Sequence, residues 1–189
     1  MPAATDEKAL IEQIQQGNEA AFTEFVKRYQ EKVYWTARRI VGDHDSADDV
    51  TQEVFIKVYG ALKEFRGEAS VFTWLYRITV NVSLNYKRKK RIRDFFSIDE
   101  LFESPDNTED LPDVVVEKDE TKKLIEEAIQ QLPEKQRAVF VMRYYDELTY
   151  EEISKILHTS VGGLKANYFH ALKKIGVFLK SHGAKTSDI

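Results

Sequence analysis

The segment Phe65 to Arg93, FRGEASVFTWLYRITVNVSLNYKRKKRIR, interleaves aromatic rings with cations. Phe65, Phe72, Trp74, Tyr76 and Tyr86 stand among Arg66 and Arg77, and six of the seven residues from Lys87 to Arg93 are positively charged. Single-stranded nucleic acid asks for this pairing, because each base offers a face to stack on and each phosphate a charge to neutralise. Stacking is worth about 1 to 3 kcal/mol per base, enough to hold a base that has left its duplex. Part of the pattern has a plainer use. Phe72, Leu75 and Ile78 are expected to face a core, and cations complete a helix C-terminus. Six positive charges exceed what capping requires.

A second pattern lies near the other end of the chain. Thr149 and Glu152 form a capping box that opens a short helix carrying Ile153, Ile156 and Leu157. The turn His158-Thr159-Ser160 follows, and Ser160 caps a second helix with Val161, Leu164, Tyr168, Leu172, Ile175 and Leu179 on one stripe. Two amphipathic helices joined by so short a turn are a helix-turn-helix, whose second helix enters the major groove, although a helical corner in any protein can imitate it. Opposite the apolar stripe stand Gly162, Gly163, Ala166, Phe169, His170 and Lys173, flanked by Lys165 and Asn167. Small residues there allow close approach to DNA, and the polar ones reach base edges or phosphates.

A third pattern is acidic. Asp49, Gln52 and Glu53 fall at i, i+3 and i+4, so their polar ends share a helix face while Val50 and Val54 turn inward. Spacing alone makes this a solvated face. Asp43, His44, Asp45, Asp48 and Asp49 could be read as metal ligands, but acidic residues at a helix start serve capping and the macrodipole, and no glycine-centred calcium loop accompanies them. No nucleophile, phosphate loop, acid/base pair or His spacing suited to a metal occurs, so no catalytic residue, metal or cofactor is expected.

The elements that must position these residues are helices. Asn18 caps a long helix bearing Phe22, Phe25, Val26, Tyr29, Val33, Ala37, Ile40 and Val41, preceded by a shorter one over Ala9 to Gln15 and closed by Gly42. Asp45 or Ser46 is expected to cap a third, with Val50, Val54, Val58 and Ala61 inward, and a fourth runs from about Ser70 to Arg91. Thr121 to Leu132 and Pro133 to Tyr145 read as two more. No stretch alternates with period two for long enough to make a sheet. The fold class is therefore all-α: an N-terminal helical bundle and a C-terminal helix-turn-helix domain.

The 189 residues fit one domain or two small ones, and 42% hydrophobic with 32% charged residues is a globular composition. Zero cysteines exclude disulfides, thiolate metal sites and thiol-based sensing within the chain. No apolar run approaches a bilayer's thickness and the first residues carry no apolar signal core, so a cytoplasmic chain without direct membrane insertion is expected. The net charge of −4 conceals a division. Residues 1–93 hold 16 Lys/Arg against 13 Asp/Glu, residues 94–120 hold 1 against 11, and residues 121–189 hold 11 against 8. The strongly acidic middle, with two of the four prolines, reads as an extended linker between domains 1–93 and 121–189, and Phe95, Phe96, Ile98, Leu101 and Phe102 suggest that part of it docks.

Taken in order, DDVTQEVF at 48–55, FRGE at 65–68, FTWLYRITVN at 72–81, LPE at 132–134, LTYEEI at 148–153 and SVGGLK at 160–165 resemble the group IV, or extracytoplasmic-function, sigma factors of bacterial RNA polymerase, of the sigma-E/sigma-W-like kind. The resemblance covers nearly the whole chain. It implies that Asp49, Gln52, Glu53, Val54 and Phe55 bind core polymerase at the coiled coil of the β′ subunit, and that the second domain meets the β flap. It implies that Phe65, Arg66, Phe72, Thr73, Trp74, Arg77, Asn81, Lys87 and Arg88 capture and open the minus-ten element. Flipping a base costs a few kcal/mol, which a pocket and stacking must offset. Gly162, Gly163, Lys165, Ala166, Phe169, His170 and Lys173 would read the minus-thirty-five element, and the acidic linker would thread the polymerase cleft. Ala166, Asn167 and His170 stand where serine or arginine is common in the family, which lowers the number of phosphate contacts. An anti-sigma factor, often at the inner membrane, is a further expected partner. A stand-alone helix-turn-helix regulator with a sensor bundle is the alternative, and a helical metal-dependent hydrolase built on His44, Asp45, Asp48 and Asp49 a remote third.

Overall fold

The computed structural model describes the backbone of residues 4–96 and 116–183, and side chains within 7–93 and 122–183. Eight helices occupy these residues: α1 Ala4–Gln15, α2 Glu19–Val41, α3 His44–Leu62, α4 Val71–Phe96, α5 Val116–Gln130, α6 Glu134–Tyr144, α7 Tyr150–Leu157 and α8 Val161–Ser181. Helix α4 runs past the expected boundary at 93 and α5 begins before 121, so both eat into the segment read as linker. What remains of that segment, with Ile98, Leu101 and Phe102, lies outside the described residues.

Local chemistry sets most helix ends where the sequence places them. Asn18 accepts from the Ala21 N–H at 3.2 Å and opens α2, while Thr149 and Glu152 close their reciprocal box on α7. Ser160 Oγ accepts from the Gly163 N–H at 3.3 Å and opens α8. Helix α3 differs: its cap is Asp43, whose carboxylate accepts from the Ser46 N–H at 2.8 Å, so the expected caps Asp45 and Ser46 already lie inside the helix. Gly42 ends α2 at φ +107°, and a Cβ there would sit 2.6 Å from Gln130 Oε1. The left-handed backbone requires glycine, and a Cβ would in addition displace the Gln130 side chain of α5.

The first four helices pack around Phe25, Val50, Val54, Val58 and Leu62, all fully buried. Ala128, Ile129, Leu132, Phe140, Ala171, Ile175 and Leu179 form a second core among α5, α6 and α8. On α8 the buried stripe passes through Ala171, and Leu172 is 45% exposed, against the expectation that Leu172 faced inward. One residue's rotation, about 100°, separates the two positions.

A third core joins the halves. Ile40 of α2 and Tyr76 and Val80 of α4 pack with Ala138, Val139, Val141 and Met142 of α6 and with Ile153 and Ile156 of α7. Helix α6 is buried at every position from Arg137 to Met142, the mark of a helix covered on all sides. The two modules therefore share an interior.

Arg137, 3% exposed, sits in that interior without a carboxylate. Its guanidinium donates to the carbonyls of Ile129 at 3.0 Å, Leu132 at 3.0 Å and Ile40 at 2.8 Å, and also to that of Gln130. These carbonyls lie at the ends of α5 and α2, where the helix dipoles favour a cation; that of Ile129 also accepts from the Leu132 N–H at 3.1 Å and that of Ile40 from Lys87 Nζ at 3.5 Å. Burial pushes the Arg137 pKa down to about 10, which leaves it charged at neutral pH. Lys87 of α4 donates to the Val41 carbonyl at 3.2 Å and to Gln130 Oε1 at 2.9 Å, and Gln130 Nε2 donates to the Arg39 carbonyl at 3.1 Å. The last turn of α2 is thus satisfied from α4, α5 and α6 at once.

Arg137→Ala removes the side-chain donor of the Gln130 and Leu132 carbonyls and one of the two donors to those of Ile129 and Ile40, and is expected to cost about 3 kcal/mol in denaturant unfolding. Arg137→Lys should not restore it, because one ammonium cannot span the four acceptors. A loss below about 1 kcal/mol for the alanine variant would show that water replaces the guanidinium.

Candidate nucleic-acid interface

The loop between α3 and α4 turns at Gly67, φ +73°, and Ser70 starts α4 by accepting from the Thr73 N–H at 3.1 Å. Gln15, at the end of α1, holds the loop from behind, donating to the carbonyls of Leu62 at 3.1 Å and Phe65 at 3.0 Å. Held this way, Phe65, Arg66, Thr73, Trp74 and Arg77 line a cleft of about 490 Å³. The Phe65 and Trp74 rings lie 5.1 Å apart at 54°. Glu64 and Glu68 line it too, so the cations Arg66, Arg77 and Lys155 outnumber two carboxylates, and the two rings can take a planar base.

Asn81, Asn85 and Arg88 continue from Arg77 along α4 at helical spacing, all three exposed, with Arg88 donating to Asn85 Oδ1 at 3.3 Å. Two of the residues proposed for the same role from sequence lie elsewhere. Phe72 faces α2, with Lys32 Nζ 4.7 Å above its ring and Tyr76 4.9 Å away. Lys87 is committed to the end of α2, where its bonds offset the cost of carbonyls that a nucleic-acid contact would leave unsatisfied. Lys155 of α7 also lines the cleft, a neighbour that no local pattern announces.

On α3, Asp49 and Gln52 are exposed, and Tyr86 Oη donates to Asp49 at 3.0 Å. Glu53 is half-buried and pairs with Lys57 at 3.2 Å. Val54 is fully buried, so it supports this face from beneath and offers no surface for contact. Phe55 instead lines an apolar groove of about 770 Å³ between α2 and α3 with Phe22, Val26, Ile56 and Tyr59. Ile56 is 73% exposed. Phe22 and Val26 pack against the core as expected and also line this groove, while Ile56 and Tyr59 belong to no motif in the sequence. The available signal was a band of apolar residues on α2 and α3 wider than two packed helices need.

The acidic cluster at the start of α3 is used locally. Partial burial of Asp43 works against ionisation, but hydrogen bonds from Ser46 and Lys90 outweigh it and hold the carboxyl below its usual range. Among the described residues no group of three His, Asp or Glu side chains could hold a metal ion.

On α8, Gly162, Lys165, Ala166, Phe169, His170 and Lys173 are exposed along one side, with Phe169 64% exposed. Gly163 is half-buried, and a Cβ there would meet Ser160 Oγ at 3.3 Å. The helix-turn-helix therefore presents the face expected of it.

Residues 25–92 match the family described as Sigma-70 region 2, and residues 122–175 that described as Sigma-70, region 4. The chain is 37% identical over 176 residues to the ECF RNA polymerase sigma-E factor of Escherichia coli strain K12, covering 89% of this chain and 92% of that one. It belongs to the extracytoplasmic-function sigma factors. The RNA polymerase sigma-H factor of Pseudomonas aeruginosa is 35% identical over 176 residues, covering 89% and 91%. The fold is similar to that of CnrH, solved with the cytosolic domain of CnrY, at a TM-score of 0.66 and 21% identity over 92% of this chain and 96% of that one. It is also similar to RpoE of Bartonella quintana, solved with the anti-sigma factor NepR, at a TM-score of 0.67 and 19% identity over 84% and 96%. This sigma factor is a non-enzymatic subunit that directs promoter-specific transcription initiation. No helix among the described residues is long and apolar enough to cross a membrane.

Gln15→Ala should lower stability by about 1 kcal/mol while raising hydrogen exchange between 62 and 70 above that of the other loops. Equal exchange in variant and wild type would mean that the loop is held by Phe65 and Trp74 alone.

Proposed function

We propose that three surfaces of this sigma factor divide the work of initiation. The observation that carries this reading is the cleft of Phe65, Arg66, Thr73, Trp74 and Arg77, whose rings and guanidinium groups suit a base flipped from the minus-ten element. Asn81 and Arg88 continue the same strand's path along α4, and stacking offsets the few kcal/mol that flipping costs.

The second surface is the face of Asp49, Gln52 and Glu53 beside the apolar groove of Phe55 and Ile56, which takes the β′ coiled coil of core polymerase. Exposed apolar area rimmed by polar residues supports a protein partner there. The third is α8, whose exposed residues from Gly162 to Lys173 read the minus-thirty-five element, while the C-terminal module meets the β flap. With lysines only at 165 and 173 among these reading positions, its salt dependence is shallow. The acidic segment between the modules threads the polymerase cleft. An anti-sigma factor holds the chain inactive, at the inner membrane where that factor is membrane-bound; the complexes of CnrH with CnrY and of RpoE with NepR support a partner of this kind.

Run-off transcription of fragmented genomic DNA by core polymerase, with and without the chain, tests the reading. New starts sharing two spaced upstream elements are expected. Asp49→Ala with Gln52→Ala should weaken core binding about tenfold or more and abolish those starts, with the melting temperature changed by no more than about 3 °C because both side chains are exposed. Starts that survive the double change would remove the core-binding assignment. Their absence with wild-type chain, on a core that works with a control sigma factor, would remove the initiation reading.

A further inference from the structure

Helix α2 carries Lys32, Trp35 and Arg39 at i, i+3 and i+7, on the flank beside its buried stripe. Trp35 is 43% exposed, and Lys32 is exposed while lying over the Phe72 ring. Arg39 Cζ lies 5.8 Å from the Trp35 ring centroid. Cation and ring thus alternate along α2 and the adjoining face of α4, the chemistry of a single-strand platform. None of the three proposed surfaces uses these α2 residues.

What covers one end of this flank is informative. The turn after α6 lays the Tyr145 ring on the Arg39 guanidinium at 4.3 Å and brings Asp146 Oδ1 within 3.9 Å of the same group. A ring stacked on a guanidinium and an anionic oxygen paired with it are the two things a nucleotide supplies, its base and its phosphate. At 3.9 Å the Asp146 carboxylate stands at the far limit of an ion pair with Arg39, so it fills the seat loosely. Phe72 belongs to the same first turn of α4 as Thr73 and Trp74 of the cleft, so the flank lies within a few nucleotides' reach of it.

We infer that Lys32, Trp35 and Arg39 of α2, with Phe72 of α4, form a second single-strand DNA track beside the flipped-base cleft, and that Tyr145 and Asp146 occupy its Arg39 end while the modules are packed. The inference rests on the proposed minus-ten role of that cleft. Trp35 stacks a base, Lys32 and Arg39 pair with phosphates, and the strand displaces the turn at 145–146 when the modules part.

The test uses the full chain with core polymerase and a fork-junction DNA from a promoter found by run-off. Its non-template strand is single-stranded from the minus-ten element and is lengthened one nucleotide at a time. Anisotropy of the labelled probe should show wild-type affinity rising as the strand grows past the cleft. Trp35→Ala and, separately, Lys32→Gln should each remove about fivefold or more of that rise, while Trp35→Phe keeps it. Without polymerase, Asp146→Asn should bind the single strand more tightly than wild type. Variants that match wild type on every length overturn the track while leaving the cleft intact. Weakened binding of core polymerase by Trp35→Ala would make the flank a protein contact and overturn the proposal. No wild-type gain from any single-stranded extension would overturn the cleft reading, and the track with it.

Discussion

One buried cation satisfies the ends of helices from both halves of the molecule. The guanidinium of Arg137 fits because its donors fan out in a plane and the carbonyls of Ile40, Ile129, Gln130 and Leu132 converge on that plane. Two helix C-termini aimed at one point would otherwise repel, and the buried carbonyls of Gln130 and Leu132 would lose their side-chain donor. With the cation in place, the end of α2 can lie against α5 and α6, and Ile40 can enter a core shared with α4 and α7. Gly42 turns the chain there at φ +107°, which favours glycine, and a Cβ would push the Gln130 amide off its bonds to α2. The placement of the proposed DNA-binding face of α4 relative to the helix-turn-helix follows from this joint.

The polar character of the joint bears on what the modules can do. Besides the apolar contacts, it holds the bonds of Lys87 and Gln130 to α2 carbonyls, the pair of Arg39 with Asp146, and the stack of Arg39 on Tyr145. Groups of this kind are rehydrated when the modules separate, so parting costs less than the buried area suggests. Asp146 is held at some expense: burial pushes its carboxyl above the usual range, against Tyr76, Arg39 and Lys32, which favour the charged form. A carboxyl whose pKa is raised in the packed state adds stability to packing below its free-state pKa, and that contribution fades as pH rises through the higher packed-state value. Packing is therefore favoured on the acid side of this range.

Much of the fold was legible because it is written in short-range chemistry. Asn18, Gly42, Thr149 with Glu152, and Ser160 each act within four residues, and each sits where its type and spacing place it. The candidate sites were legible as residue types: Phe65, Arg66, Trp74 and Arg77 do meet in one cleft, and the α8 face proposed to read DNA is exposed. What stayed hidden depends on distance along the chain. Arg137 reads locally as an ordinary charged residue on a half-buried helix, since its partner carbonyl at Ile40 is 97 residues away. Gln15, Lys155 and the true position of Lys87 are hidden for the same reason. Leu172 misled differently: it is larger than Ala171 and draws the stripe toward itself, although only Ala171 points between α5 and α6.

The packed arrangement and promoter binding make opposite demands. Two promoter elements spaced along a duplex, at about 3.4 Å per base pair, lie tens of ångströms apart, whereas α7 here rests against α4 with Lys155 in the cleft proposed for the minus-ten element. On the proposed reading, contact of the cleft and α8 with two elements so far apart favours an arrangement in which the modules have parted. Parting uncovers Tyr76 and Val80 of α4 beside the cleft, and Arg39 at the end of the α2 flank. A surface of that composition is unfavourable when bare and favourable under a nucleotide strand. On the inferred track, the residues that hold the modules together are the ones that meet the strand, so DNA contact offsets part of the free energy of opening.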